Sequence, residues 1–153
     1  MTARILIADA DPMLCEVYGD YLTNRGFAVR TAVTGLSCVA QLRQVRPNLL
    51  VLGTSLLWGG CEGVLTVMND ECDLRPEIVI VVARERERSL PRRLASYGID
   101  SVQWKPLSPT RLVRYVETLL LERAEQRPAA SRRYATSRRA LGVGGGWLSG
   151  AGS

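Results

Sequence analysis

The chain reads as five short apolar runs, each followed by a segment whose apolar residues recur at helical spacing. "RILIA" (residues 4–8) is a β-branched and leucine run ended by "DADP", where Asp11 is placed to cap a helix and Pro12 to occupy its first turn. In that helix Leu14, Val17, Tyr18, Tyr21 and Leu22 are expected on one inward face, and Asn24-Arg25-Gly26 closes it. "FAVRTA" (27–32) predicts a second strand. Gly35 to Val45 predicts a second helix carrying Leu36, Val39, Ala40 and Leu42, cut off ahead of Pro47. "LLVLG" (49–53) is a third strand without alternation, as expected of one buried on both faces.

A glycine-bearing loop, "TSLLWGGCEG" (54–63), leads into a short third helix within "CEGVLTVMNDE". "EIVIVVA" (77–83) is the most strand-like stretch of the chain, and "RERERS" after it reads as a solvated charged loop. Ser89-Leu90-Pro91 starts a helix ended by Gly98, and "SVQW" (101–104) is a fifth strand. Ser108-Pro109 opens a last helix with Leu112, Val113, Tyr115, Val116, Leu119 and Leu120 inward. Five strand–helix alternations call for an α/β fold, a doubly wound parallel sheet with helices on both faces and right-handed crossovers. The domain is expected to span residues 1–123. Residues 124–153, rich in Arg, Ser, Ala and Gly, bury too little apolar surface to offset ordering entropy and are expected to form a disordered tail.

Composition narrows the chemistry. At 153 residues and 46% hydrophobic content the chain can bury a real core, and no apolar run reaches the 18 or more residues of a membrane span. A cytoplasmic protein without membrane contact is the expectation. Cys15, Cys38, Cys61 and Cys72 share no C-x-x-C spacing, so reduced and mostly buried thiols are expected. The absence of histidine removes the usual general base for a Ser or Cys nucleophile, and the chain is not expected to be an enzyme. Residues 1–123 hold 15 basic and 14 acidic residues, whereas residues 124–153 hold five and one, so the positive charge sits in the tail.

"ILIADADP" after the first strand, "RPNLLVLG" before the glycine-bearing loop and "YGIDSVQWKP" before the last helix, in that order, resemble the receiver domain of bacterial two-component response regulators. The resemblance covers about residues 3–123 and implies a (βα)5, flavodoxin-like sheet of order 2-1-3-4-5. In that family a kinase phosphohistidine donates phosphate to an aspartate at the end of the third strand. Mg²⁺ on acids after the first strand and a lysine on the fifth assist. By the resemblance Gly53 falls at the acceptor position, so the carboxylate nucleophile is missing. Asp9 matches one acid of the Mg²⁺ pair, Ala10 falls where the second stands, and Asp11 comes next. Asp9 and Asp11 would make at most a weak Mg²⁺ site, and no cofactor is expected. The hydroxyl of the fourth strand falls on Val82 and the aromatic switch of the fifth on Val102, while Lys105-Pro106 matches the family's Lys-Pro, typically joined by a cis bond.

Lys105 is the single lysine beside 19 arginines. It stands either as a cation needed for its compact ammonium or as the structural partner of Asp9 in a retired site. Thr54 and Ser55 follow Gly53 but lack a histidine to activate them.

Three readings of function result. The first is a degenerate pseudo-receiver: a stand-alone signalling module independent of phosphate. It would bind another signalling protein or a second copy through the helix 4–strand 5–helix 5 face, with Arg92, Arg111, Arg114 and Tyr115 on it. The second gives the work to the tail, where Arg132, Arg133, Arg138 and Arg139 around an aromatic could contact nucleic acid or an acidic partner. The third keeps an ordinary phosphorelay receiver and requires acyl-phosphate chemistry without a strand-end carboxylate.

Overall fold

The computed structural model describes residues 2–84 and 86–126. The five apolar runs become strands β1 (Arg4–Ala8), β2 (Ala28–Ala32), β3 (Leu49–Gly53), β4 (Ile78–Arg84) and β5 (Ser101–Lys105). All pair in parallel, in the order β2-β1-β3-β4-β5. The helices are α1 (Pro12–Asn24), α2 (Gly35–Val45), α3 (Gly60–Asp70), α4 (Leu90–Arg93) and α5 (Pro109–Gln126). Fold class and strand order are those expected from the sequence.

The period of two in a strand divides the core into two layers. Ile5, Ile7, Leu49, Val51, Ile78, Ile80 and Val82 face α1 and α5. Leu6, Leu50, Leu52, Val79 and Val81 face α2 and α3. The same parity decides what meets at the strand ends: Asp9 continues the row of Ile5 and Ile7, and Gly53 that of Leu49 and Val51.

Several local expectations are corrected. Helix α1 is rotated by about one residue from the expected face: Cys15, Tyr18, Gly19 and Leu22 are buried, while Val17 and Tyr21 are exposed together with Met13. The small Cys15 and Gly19 let the helix sit close to the sheet, and the Tyr18 hydroxyl donates to the Leu107 carbonyl at 2.7 Å. In α2 the buried positions are Gly35, Cys38 and Leu42, and Leu36 is exposed. The expected helix from Ser89 to Gly98 is one α-turn followed by a 3-10 turn at Ala95–Tyr97. Leu90 and Leu94 anchor the first piece four residues apart, and the tighter turn then brings Tyr97 against the core.

Helix α5 runs three residues past the expected boundary at 123. Arg123 at its end donates to the Glu77 carbonyl and pairs with Asp100, both at 2.6 Å, which fixes the last turn to the sheet. Ala124–Gln126 continue the helix, and the rest of the expected tail lies outside the described residues. Among the described residues no helix is long and apolar enough to cross a membrane.

Burial pushes the Cys15 thiol up to about 11 and those of Cys38 and Cys61 up to about 12, whereas Cys72 is exposed. Because the thiolate is the reactive form, titration of the native protein with a disulfide reagent should modify Cys72 promptly and the other three only on unfolding. Prompt reaction of two or more thiols would contradict this core.

Candidate functional site

The site assembles at the carboxyl ends of β1, β3, β4 and β5. The Asp9 carboxylate is only 3% exposed, so its charge needs partners within the protein. Oδ1 accepts the Asp11 N–H at 3.0 Å and Oδ2 accepts from Lys105 Nζ at 2.9 Å. The Lys105 side chain is about one-quarter exposed, and the Lys105–Pro106 bond is cis. Lys105 and Asp9 thus form an ion pair.

Gly53 lies directly under this carboxylate. An ideally placed Cβ there would stand 2.8 Å from Asp9 Cγ and closer still to Oδ2, so any side chain would collide with Asp9 as it now sits. Val82, paired with Gly53 in the sheet, is buried and offers no hydrogen bond. Val102 sits on the opposite face, half-buried against the α2/α3 layer, with Trp104 beside it in that layer.

Asp11 is the N-cap of α1: its Oδ1 accepts the Met13 N–H at 3.0 Å and the Leu14 N–H at 3.4 Å. Ala10 carries no donor atom on its side chain. Magnesium demands near-octahedral oxygen coordination, usually with one or two carboxylates. Here both oxygens of Asp9 are engaged, Asp11 is turned to its own helix, and Gly53 contributes no carboxylate. The donor set does not fit the ion. Among the described residues no group of three or more His, Cys, Asp or Glu is placed to hold a metal.

The charged loop after β4 holds a residue that the sequence did not single out. Glu87 is half-buried, and its Oε2 accepts both the Thr54 hydroxyl at 2.7 Å and the Arg84 N–H at 3.0 Å. Burial disfavours its charge, but the Thr54 hydroxyl, the Arg84 amide and the charges of Arg84 and Arg86 prevail and hold the carboxyl below its ordinary value. The reading of this loop as wholly solvated is thus corrected at Glu87. Thr54 does have a carboxylate partner, but one of lowered basicity, which makes the pair a latch from β3 to the loop rather than an activated nucleophile. Alternating Arg and Glu gave no periodic signal for this; only a strand-end threonine hinted at a polar partner.

The expected interaction residues are at the surface. Arg92 is exposed on α4, next to Arg93, which is tied to Glu62 of α3. On α5, Arg111 and Arg114 are exposed, and Arg111 donates to the Tyr115 hydroxyl at 3.3 Å while Tyr115 packs half-buried on the α1/α5 layer. Arg132, Arg133, Arg138 and Arg139 lie outside the described residues.

Comparison with known proteins agrees with the fold. The DNA-binding response regulator MtrA of Mycolicibacterium smegmatis is 31% identical over 129 residues, which is 84% of this chain and 55% of that protein. The transcriptional regulatory protein BaeR of Escherichia coli O6:H1 is 32% identical over 127 residues, 82% of this chain and 51% of BaeR. The chain thus spans about half the length of these curated relatives. The CheY-like response regulator receiver domain protein from Methanospirillum hungatei superposes with a TM-score of 0.70 at 25% identity, over 80% of this chain and 96% of that one. No protein-family model matches the chain.

Two predictions follow from the site. Gly53→Asp should destabilise the protein by at least about 1–3 kcal/mol through overpacking, yet stabilise it in an Asp9→Ala background, where the new carboxylate replaces the partner of Lys105. Urea denaturation of the four proteins reads the sign, and destabilisation in both backgrounds would refute the shared space. Glu87, whose carboxyl is held below the ordinary 4.5, contributes stability that is present above that value and lost as pH falls through its folded value. The stability difference between the native chain and Glu87→Gln should therefore be largest near neutrality and shrink on acidification; a difference that grows in acid would be the wrong sign.

Proposed function

Because the chain carries a response-regulator receiver domain, we propose that it is a signalling module whose output does not depend on phosphorylation. It acts by protein–protein contact and needs neither acyl phosphate nor Mg²⁺. The observation that carries this reading is the Asp9 carboxylate lying where a side chain at Gly53 would have to be. Phosphoryl transfer to a carboxylate requires an accessible anionic oxygen at the strand end. Asp9 is buried, with each oxygen accepting a hydrogen bond, and Glu87 is turned to Thr54 and Arg84.

The Glu87 latch supports the same reading from the other side of the pocket. A carboxylate belonging to the loop already joins the end of β3 to the segment that leads into α4, so that connection does not wait for an added phosphoryl group. The proposed contact face is α4, β5 and α5, with Arg92, Arg111, Arg114 and Tyr115 exposed or half-exposed on it. The proposed partner is another signalling protein or a second copy of this chain.

The test is a titration of isotopically labelled protein with Mg²⁺ and beryllofluoride, which together mimic an acyl phosphate. No saturable amide shifts at millimolar ligand is the expected result. Saturable shifts spreading from Asp9, Gly53 and Lys105 into residues 89–120 would overturn the proposal.

A further inference from the structure

Two turns at the carboxyl end of the sheet carry apolar side chains that the core leaves out. Val33 and Leu36 flank the start of α2 at 38% and 69% exposure, and Leu57 and Trp58 in the loop before α3 stand at 64% and 71%. The backbone holds the two turns together. Thr34 and Leu57 form an isolated parallel bridge, and the Gly35 N–H donates to the Leu57 carbonyl at 2.8 Å. A Cβ on Gly35 would overlap the Trp58 carbonyl oxygen, so this glycine is what lets the loop close on the start of the helix. The proposed contact face lies around β5, at the other half of the sheet, and makes no use of these turns.

The display of Trp58 is costly. Its φ of 60° lies in the left-handed region, where a bulky residue is an outlier, and Gly59 and Gly60 follow it at positive φ. Glycine would hold this turn without strain, yet the position carries an indole and leaves it in water. Residues held in such conformations cluster where binding or switching uses them. The surroundings point the same way. From Thr31 to Leu42 and from Pro47 to Cys61 the sequence has no charged residue, and Glu62, which follows, is tied to Arg93. An aromatic anchor amid depleted charge is the composition of an interface core rather than of a solvated loop.

The absence of charge also selects the occupant. An anionic membrane surface is held by basic residues and a charged partner by opposite charge, and these turns offer neither. A two-fold axis sets a surface against its own copy, so a charge near the axis would meet its like, whereas an uncharged apolar patch meets its complement. We propose that the two turns form a self-association surface, on which a second copy of this chain packs its Leu57 and Trp58 against Val33 and Leu36 of the first. A buried aromatic side chain contributes about 150–250 Å², of which Trp58 offers roughly two-thirds. With its neighbours the patch reaches a few hundred Å² a side, within the roughly 300–600 Å² of the largest, often functional, patches on monomers. Doubled across the axis this stays below the roughly 1,200 Å² of standard interfaces, so the dimer is weak and forms as concentration rises. The proposal goes beyond the α4–β5–α5 contact and does not rest on it.

The experiment follows the full chain by sedimentation velocity from micromolar to millimolar concentration, with urea denaturation of each variant alongside. The expected result is a reversible monomer–dimer equilibrium, with amide shifts on dilution centred on residues 33–36 and 57–58. Trp58→Gly should weaken the dimer about tenfold or more, as expected of a central aromatic anchor. The same change should leave the monomer at least as stable, because glycine relieves the left-handed turn; a side chain kept only for folding would give the opposite sign. Leu36→Ser alters an exposed helix position and should weaken the dimer without disturbing the turn. A chain that stays monomeric at millimolar concentration overturns the proposal. So does a dimer of unchanged affinity in both variants, or one that survives Trp58→Gly and is lost in Arg111→Glu, which would assign self-association to the α4–β5–α5 face.

Discussion

The ion pair between Asp9 and Lys105 is the constraint on which the end of the sheet depends. Asp9 follows the end of β1 and Lys105 ends β5, strands that are not neighbours: β3 and β4 lie between them. With strands about 4.8 Å apart, the pair must reach across roughly three strand spacings. It can do so only over the ends of β3 and β4, and what lies beneath must be low and apolar. Gly53 and Val82 are the residues found there, each paired with the other in register. A buried carboxylate without its cation is strongly unfavourable, so the pair, once formed, dictates a glycine at the end of β3 for as long as Asp9 keeps its place.

From this arrangement the charges around the pocket sort themselves. Asp9 is matched by Lys105, Asp11 by the first turn of α1, and Glu87 by the Thr54 hydroxyl and the Arg84 amide. Each of these three acids is therefore satisfied by the protein itself. The burden on the neighbouring thiols and phenol is the reverse: burial, reinforced by the charge of Asp9, pushes Cys15 up to about 11 and Tyr18 up to about 12. Both stay neutral at physiological pH, and Tyr18 keeps the proton that it donates to the Leu107 carbonyl.

The sequence disclosed the fold through the contrast between period two and period 3.6, which is strongest where strands are buried on both faces. β3 and β4 are of that kind, and their limits agree with expectation to within a residue. Small residues blurred the helices. Cys15 and Gly19 carry little hydrophobic weight, yet they determine how α1 sits, and the larger Val17 and Tyr21 are displaced to the surface. The Asp9–Lys105 ion pair was legible as one of two readings of Lys105, whereas the reading of Gly53 as an acceptor position came from the resemblance and not from any periodicity. The Asp9 carboxylate filling the Gly53 Cβ position and the inward turn of Glu87 were not legible, since both depend on side-chain paths that no periodicity encodes.

The charge at the end of β3 is that of Asp9, since Gly53 carries no side chain and its Cβ position is filled by the Asp9 carboxylate. On the other side of the pocket Glu87 stays ionised near neutrality, because its carboxyl is held below its ordinary value. Removing either partner of the Asp9–Lys105 pair would leave the other charge unmatched, the case in which such a pair is most costly to break. The charges at this end of the sheet are thus set by the fold itself, and the Thr54–Glu87 hydrogen bond joins the end of β3 to the loop before α4 within the same arrangement.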